Sequence, residues 1–340
     1  MTNRIRNIFF LFGVIAVVVM FFTLDVSLTD LWECICQARG WIIVILLLWI
    51  PLYLMNALTW RIILKGSGDC AVPYALLFKL TISGFALNYA TPAGLMGGEP
   101  YKIMELTPYV GRARATSSVL LFSMTHIFSH FWYWLATSLL YLFLLDVNSA
   151  MFCVLLFMII FSLCGVYLFL KGYRNGMVMK ILNAISRIPG LKNRMARFMH
   201  SHRDELKQID VQIASLHTQD RRSFYLSFCL EFVGRVLQAF EVYSVLVALG
   251  IAGGFLQLFL YATLIIALTS LFANLLFFMP LQLGGREGGF VMSCVQLGFT
   301  NTLGVFISII CRIRELFWTA IGMLLIKVGN RDVLNLKEEC

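Results

Sequence analysis

Glu99 and Glu287 are carboxylates set in apolar sequence, and each closes a run broken by Pro and Gly: NYATPAGLMGGE from Asn88 and NLLFFMPLQLGGRE from Asn274. Pro92 stands five residues before Gly97 and seven before Glu99, as Pro280 stands five before Gly285 and seven before Glu287. An Asn precedes the Pro in both copies, Asn88 in one and Asn274 in the other. Paired carboxylates of this kind bind a cationic headgroup, carry protons, or cap helices that restart after the break. Arg286 in the second break and Arg312 beyond it add guanidinium groups, whose fork matches two phosphate oxygens at once. Helix N-termini restarting after the breaks would aim further donors at the same anion.

More ionisable residues fall inside apolar runs, where a central charge costs about 2.5–3.5 kcal/mol on insertion scales and asks for a partner or a wet site. Glu231, Arg235 and Gln238 share one helical face, with Glu241 close by; Glu231 and Arg235 have the spacing of an ion pair. That pair reads either as structural glue between helices or as part of a site. Arg312 and Glu315 can face one way, as a structural pair or with Arg312 free for phosphate, whereas Arg314 does not share that face closely. His126 and His130, four apart, read as hydrogen-bonded buried histidines or as a proton relay. Two ligands make no metal site, and no Glu follows His126 as a zinc-protease helix requires. Trp132, Tyr133, Trp134 and Tyr141 read as packing or interface anchors.

The elements that must position these groups are membrane spans. The chain has 340 residues, 60% of them hydrophobic and 13% charged, against roughly 25% charged in soluble domains. An all-α polytopic membrane protein is expected, a single integral domain over residues 1–340. The net charge of +9 lies in loops and follows the positive-inside rule, with no nucleic-acid motif. Spans are expected at Ile8–Leu24, Trp41–Trp60, Ser118–Leu145, Met151–Leu170, Phe224–Leu249 and Leu303–Ile326. Between them lie two hairpins broken at Asn88–Gly98 and Pro280–Gly289, the second restarting as a helix at Phe290. The arm Tyr74–Asn88 would measure about 22 Å, short of a hydrocarbon core of about 30 Å. It therefore reads as re-entrant from the cytoplasmic side, with Lys79 near its start and Lys102, Arg112 and Arg114 at its return. Arg4 and Arg6 put the N-terminus inside, and Lys327, Arg331 and Lys337 put the C-terminus inside if the second hairpin re-enters from outside.

Six spans plus two re-entrant hairpins then form an inverted-topology repeat: about 41–145, a basic cytoplasmic loop at about 171–222, and about 223–327. Such repeats place binding sites near the midplane between discontinuous helices. In the basic loop Leu206, Ile209, Ile213 and Leu216 recur at helical spacing, as in an amphipathic helix on the inner leaflet. Nine cysteines without regular spacing, five of them in apolar runs, argue against a disulfide scaffold.

NYATPAGLMGGEPYKI at Asn88–Ile103, PLQLGGREGGF at Pro280–Phe290 and CRIRELFWTAIG at Cys311–Gly322 resemble the lysylphosphatidylglycerol synthase transmembrane-region family. That family includes the flippase portion of the bacterial multiple peptide resistance factor and stand-alone inner-membrane relatives. The resemblance implies a bacterial-type cytoplasmic membrane protein that moves phospholipid between leaflets, aminoacylated phosphatidylglycerol in the fused relatives. By motif position it carries over Glu99, Arg286, Glu287 and Arg312 as cavity or substrate contacts. No appended synthase domain is expected in this sequence, so the lysyl headgroup stays open.

The expected function is a lipid flippase holding a headgroup phosphate at Arg312, Arg286 and Arg235, with Asn88 and Asn274 in the breaks. Glu99 and Glu287 would meet an amine or a coupling proton. No cofactor is expected, and the sequence has no Walker motif. Membrane phospholipids, aminoacylated or anionic, are the expected partners; a lipid-synthase partner and a homodimer are open. Two rival readings remain: an intramembrane enzyme on lipid phosphates or peptides, using His126 or His130, and a non-transporting scaffold for a lipid synthase.

Overall fold

A computed structural model describes residues 40–68, 72–90, 97–144, 147–174, 221–275 and 285–327, with isolated positions at Trp32, Cys36 and Ala38. The span expected at Ile8–Leu24, the amphipathic helix around Leu206 and the Pro-bearing tips of both breaks lie outside these residues. So do Arg4, Arg6, Arg331 and Lys337, on which with Lys327 the expected sidedness of the chain ends rests.

All regular structure among the described residues is helical: α1 (Trp41–Gly66), α2 (Tyr74–Ala90), α3 (Gly98–Val110), α4 (Arg112–Leu144), α5 (Ser149–Arg174), α6 (Arg221–Ala248), α7 (Phe255–Leu275), α8 (Gly285–Gln296) and α9 (Asn301–Lys327). The apolar runs make this the only low-cost choice in lipid, because a helix satisfies its own backbone. Four helices, α1, α4, α5 and α7, are long and apolar enough to cross a membrane. By length α6 and α9 also suffice, at about 40 Å each, but both carry charges at mid-length, which they bury against neighbours.

The second break differs from its expected form. Its helix restarts at Gly285 rather than Phe290, so Arg286 and Glu287 lie in the first turn of α8. There their backbone is fixed. Glu99 occupies the same place in α3, and Pro100 follows it where a missing N–H is harmless.

Each hairpin begins and ends at one end of the bundle. Ile63 and Leu64 at the finish of α1, Leu76 and Leu77 at the start of α2, Leu106 in α3 and Ala115 in α4 join one core cluster. Arg114 fastens this end by donating to the carbonyls of Leu64 and Gly68 and to Ser67 Oγ. At the opposite end Ile45 of α1, Leu246 of α6, Ala262 of α7, Cys294 of α8 and Leu303 of α9 join another. Gly250 and Gly298 stop α6 and α8 there, each at a positive φ, 67° and 82°, that a side chain resists. Tyr261, early in α7, meets Phe299 edge-on at 5.2 Å, so α7–α8 opens toward this end.

Packing between the halves is reciprocal. α1 lies along α6, α2 along α9, and α7 along α4. Small residues permit it: a Cβ on Gly322 of α9 would overlap Ala86 and the carbonyl of Ile82 in α2. Such close approach is how helices associate in lipid, where no hydrophobic force separates helix from solvent. On the other pairing Trp134 donates to Ser270 Oγ at 2.8 Å and Tyr133 to the Thr263 carbonyl at 3.1 Å. Tyr133, Trp134 and Tyr141 are core residues and Trp132 is exposed. Cys294 and Cys311 are buried, whereas Cys153, Cys164 and Cys229 lie on the outer surface as free thiols.

Candidate functional site

The first turn of α8 faces the middle of α9. Arg312 donates from Nε and Nη2 to Glu287 Oε1, at 2.8 and 2.6 Å. Its Nη1 donates to the Tyr89 hydroxyl at 2.6 Å and to Glu315 Oε2 at 3.2 Å. Tyr89 comes from the last turn of α2, so one guanidinium ties together both hairpins and the closing helix. Arg286, beside Glu287, ion-pairs with Glu315. Arg314 leaves the shared face as its spacing requires, and grips Glu241 of α6 with Nε at 2.8 Å and Nη2 at 3.1 Å. The Trp49 ring of α1 covers it at 3.9 Å.

Three guanidinium groups thus meet three carboxylates in one buried cluster. Such a cluster is tolerable in lipid only because each charge has a partner. Arg314 and Glu315 have only 1% of their side chains accessible, while Glu287 retains 32% and Arg286 24%. The cluster therefore has a sealed side at α6 and an accessible side at α8.

A second polar centre lies on the first hairpin. The Asn88 side chain closes the break: Oδ1 accepts from Gly98 N–H at 2.8 Å and Nδ2 donates to Glu99 Oε1 at 3.0 Å. Lys102 lies 3.8 Å from the same oxygen and is buried, its ammonium over the rings of Phe122 and Trp60 at 5.4 and 5.9 Å. This corrects the reading of Lys102 as a cytoplasmic marker of the hairpin's return. Its stem crosses Gly84, where a Cβ would overlap Lys102 Cε. Glu99 Oε2 is buried without a hydrogen bond among the described residues.

Beyond Lys102, His126 Nδ1 lies 2.8 Å from Glu231 Oε2. Arg235 donates to Ser129 Oγ at 2.5 Å and to the His126 carbonyl at 2.6 Å. So the i,i+4 pair of Glu231 and Arg235 is not closed within α6; both residues turn to α4, where His126 and Ser129 offer shorter geometry. His130 stands edge-on to His126 at 5.5 Å and stacks on Trp134 at 5.2 Å.

Of the expected site residues, Arg286, Glu287, Arg312, Glu315 and Glu241 form the first centre. Asn88 and Glu99 belong to the second, with Glu231, Arg235, His126 and His130 along α4 and α6. Asn274 joins neither. It is exposed at the end of α7, and its side chain donates to the Ser270 carbonyl of the same helix at 2.7 Å. Sequence reasoning passed over three members. Tyr89 is hidden inside the motif, and Arg314 and Lys102 find their partners only in the fold. Among the described residues no three of His, Cys, Asp or Glu converge as metal ligands.

The family described as "Lysylphosphatidylglycerol synthase TM region" matches residues 8–322 of the chain. No curated protein and no solved structure matches it.

Proposed function

The chain belongs to the lysylphosphatidylglycerol synthase transmembrane-region family, and from that premise we propose that it moves a phospholipid headgroup across a membrane. The observation that carries the proposal is Arg312, buried at mid-helix yet bound to residues of both hairpins, Tyr89 and Glu287. Its Nε and Nη2 converge on one Glu287 oxygen, Oε1. A phosphate offers separate oxygens to the same fork, and so replaces Glu287 with a better match. Because Glu287 is the accessible partner, that exchange leaves no sealed charge without its partner. Arg286, in the first turn of α8, stands beside the incoming anion. The acyl chains stay in the bilayer, and the protein supplies only the polar path.

The oppositely opening hairpins support an inverted repeat of α1–α4 and α6–α9, the geometry that lets a midplane site face either side in turn. The described Lys and Arg residues outside the buried centres, among them Arg61, Lys65, Arg112, Arg114, Lys171 and Lys327, belong to the end where the first hairpin opens. By the positive-inside rule that end is cytoplasmic, in a bacterial-type inner membrane. Anionic and aminoacylated phospholipids are the proposed cargo, and a lipid synthase the proposed partner.

Headgroup translocation in proteoliposomes tests the proposal, with anionic, zwitterionic and aminoacylated phospholipids offered to the wild type and to Arg312→Gln. Movement of a phosphate-bearing class that falls at least tenfold in the folded variant is the expected result. Equal rates in both proteins would remove the site from Arg312, and movement of no lipid would overturn transport.

A further inference from the structure

The second polar centre is not needed to hold a phosphate, and its geometry points elsewhere. His126 Nδ1 is 2.8 Å from a Glu231 oxygen, in the interface between α4 and α6. The carboxylate is sealed, with 2% of its side chain accessible, whereas 41% of the imidazole remains accessible. An imidazole with accessible surface is thereby bonded to a sealed carboxylate. Glu231 Oε1 and His130 Nδ1 are both buried with no hydrogen-bond partner among the described residues. The centre thus retains unused sites for a proton.

The surrounding charges make the state of His126 consequential. From α3 come Glu99 and Lys102, with Glu105 one turn further on; α4 itself contributes His130 and Tyr133; α6 contributes Glu231 and Arg235. α7 has no Asp, Glu, Lys, Arg or His, and those of α1 and α5 fall in their last two turns. Near the imidazole, then, Lys102 and Arg235 are balanced by Glu99 and Glu231 while His126 is neutral. A proton on His126 adds one uncompensated positive charge at the α4–α6 interface, where it favours entry of an anion.

We propose that His126 and Glu231 form a proton-binding site that couples headgroup movement to proton transfer. This rests on the transport reading above. His126 takes a proton from hydronium, which leaves as water, and the imidazolium donates Nδ1–H to Glu231. The added charge draws the phosphate-bearing headgroup inward, and release of the proton on the far side removes the attraction. Asn88 and Tyr89, adjacent in α2, connect the two centres through Glu99 and Arg312. The driving force is then a proton gradient and the cargo an anionic headgroup.

The test uses the full chain in proteoliposomes loaded with a pH-reporting dye and offered an anionic phospholipid under an imposed gradient. One proton per lipid predicts that the steady-state distribution between leaflets shifts about tenfold per pH unit. It also predicts that adding lipid moves protons in the wild type, and that His126→Gln loses the gradient dependence whatever its basal rate. Wild-type translocation that ignores the gradient and moves no protons would overturn the coupling while leaving transport intact. A His126→Gln protein that keeps the tenfold shift would also overturn it, and absence of any translocation would overturn transport and coupling together. Should His126→Gln not fold, the wild-type dye signal alone decides.

Discussion

The two hairpins share the spacing of Pro, Gly and Glu, yet their carboxylates end in different company. In α2–α3 Glu99 is held by its own hairpin, through Asn88 and Lys102. In α7–α8 Glu287 reaches across to Arg312 on α9, while Asn274 turns back onto its own helix. The first carboxylate stays within its own hairpin, which meets α9 through Tyr89; the second leaves its hairpin for an ion pair that, on the transport reading, a headgroup competes for. Repeated sequence thus gives a fixed half and an exchangeable half.

Breaking the sealed side of the charge cluster should have the largest effect. Arg314→Gln leaves Glu241 buried without its fork, and a loss of about 3–5 kcal/mol is expected, read as a lower midpoint of thermal unfolding in detergent. Glu241→Gln should cost a similar amount, and the double variant less than the sum. If both single variants melt with the wild type, the cluster is not what holds α6 to α9.

On the exchangeable side Arg312→Lys removes the fork but keeps the charge. Translocation should fall about 10- to 100-fold, the equivalent of about 1.5–3 kcal/mol for a charge-assisted bond, with a smaller change in melting than for Arg314→Gln. A fully active lysine variant would mean that charge alone suffices there.

The fixed hairpin can be loosened at Gly84. Gly84→Ala forces the Lys102 stem aside, at an expected cost of about 1–3 kcal/mol from overpacking, seen as a lower melting temperature and as faster hydrogen exchange in α3. Unchanged exchange would mean that Lys102 does not brace the hairpin.

The smallest test compares the two asparagines directly. Asn88→Ala removes the acceptor of the first N–H of α3 and should cost about 0.5–2 kcal/mol, while Asn274→Ala should stay within about 0.5 kcal/mol. Equal losses would contradict the asymmetry between the hairpins.

Much of this fold was legible in the sequence because lipid allows few solutions: apolar length gives helices, and a Pro and Gly run inside one gives a break. The matched spacing of Glu99 and Glu287 located both centres. Partner choice was less legible, since it depends on which helices touch. Glu231 and Arg235 have pairing distance along one helix, but His126 and Ser129 of α4 come closer. Lys102 reads as a loop charge until Gly84 is seen to open a slot for its stem. Arg314 finds Glu241 across 73 positions of chain, a distance that no local pattern encodes. Asn274 mimics Asn88 in order but stands further from its helix restart, and its side chain bonds back within α7 instead.

The most direct test of opposed hairpins is single-cysteine labelling with an impermeant reagent, in a background without native cysteines, at Ser67, Gly111, Gly253 and Asn301. Labelling of Ser67→Cys and Gly111→Cys from the cytoplasmic face only, and of Gly253→Cys and Asn301→Cys from the outer face only, is predicted. If the members of either pair label from opposite faces, that hairpin spans the membrane, and the two hairpins do not open to opposite sides.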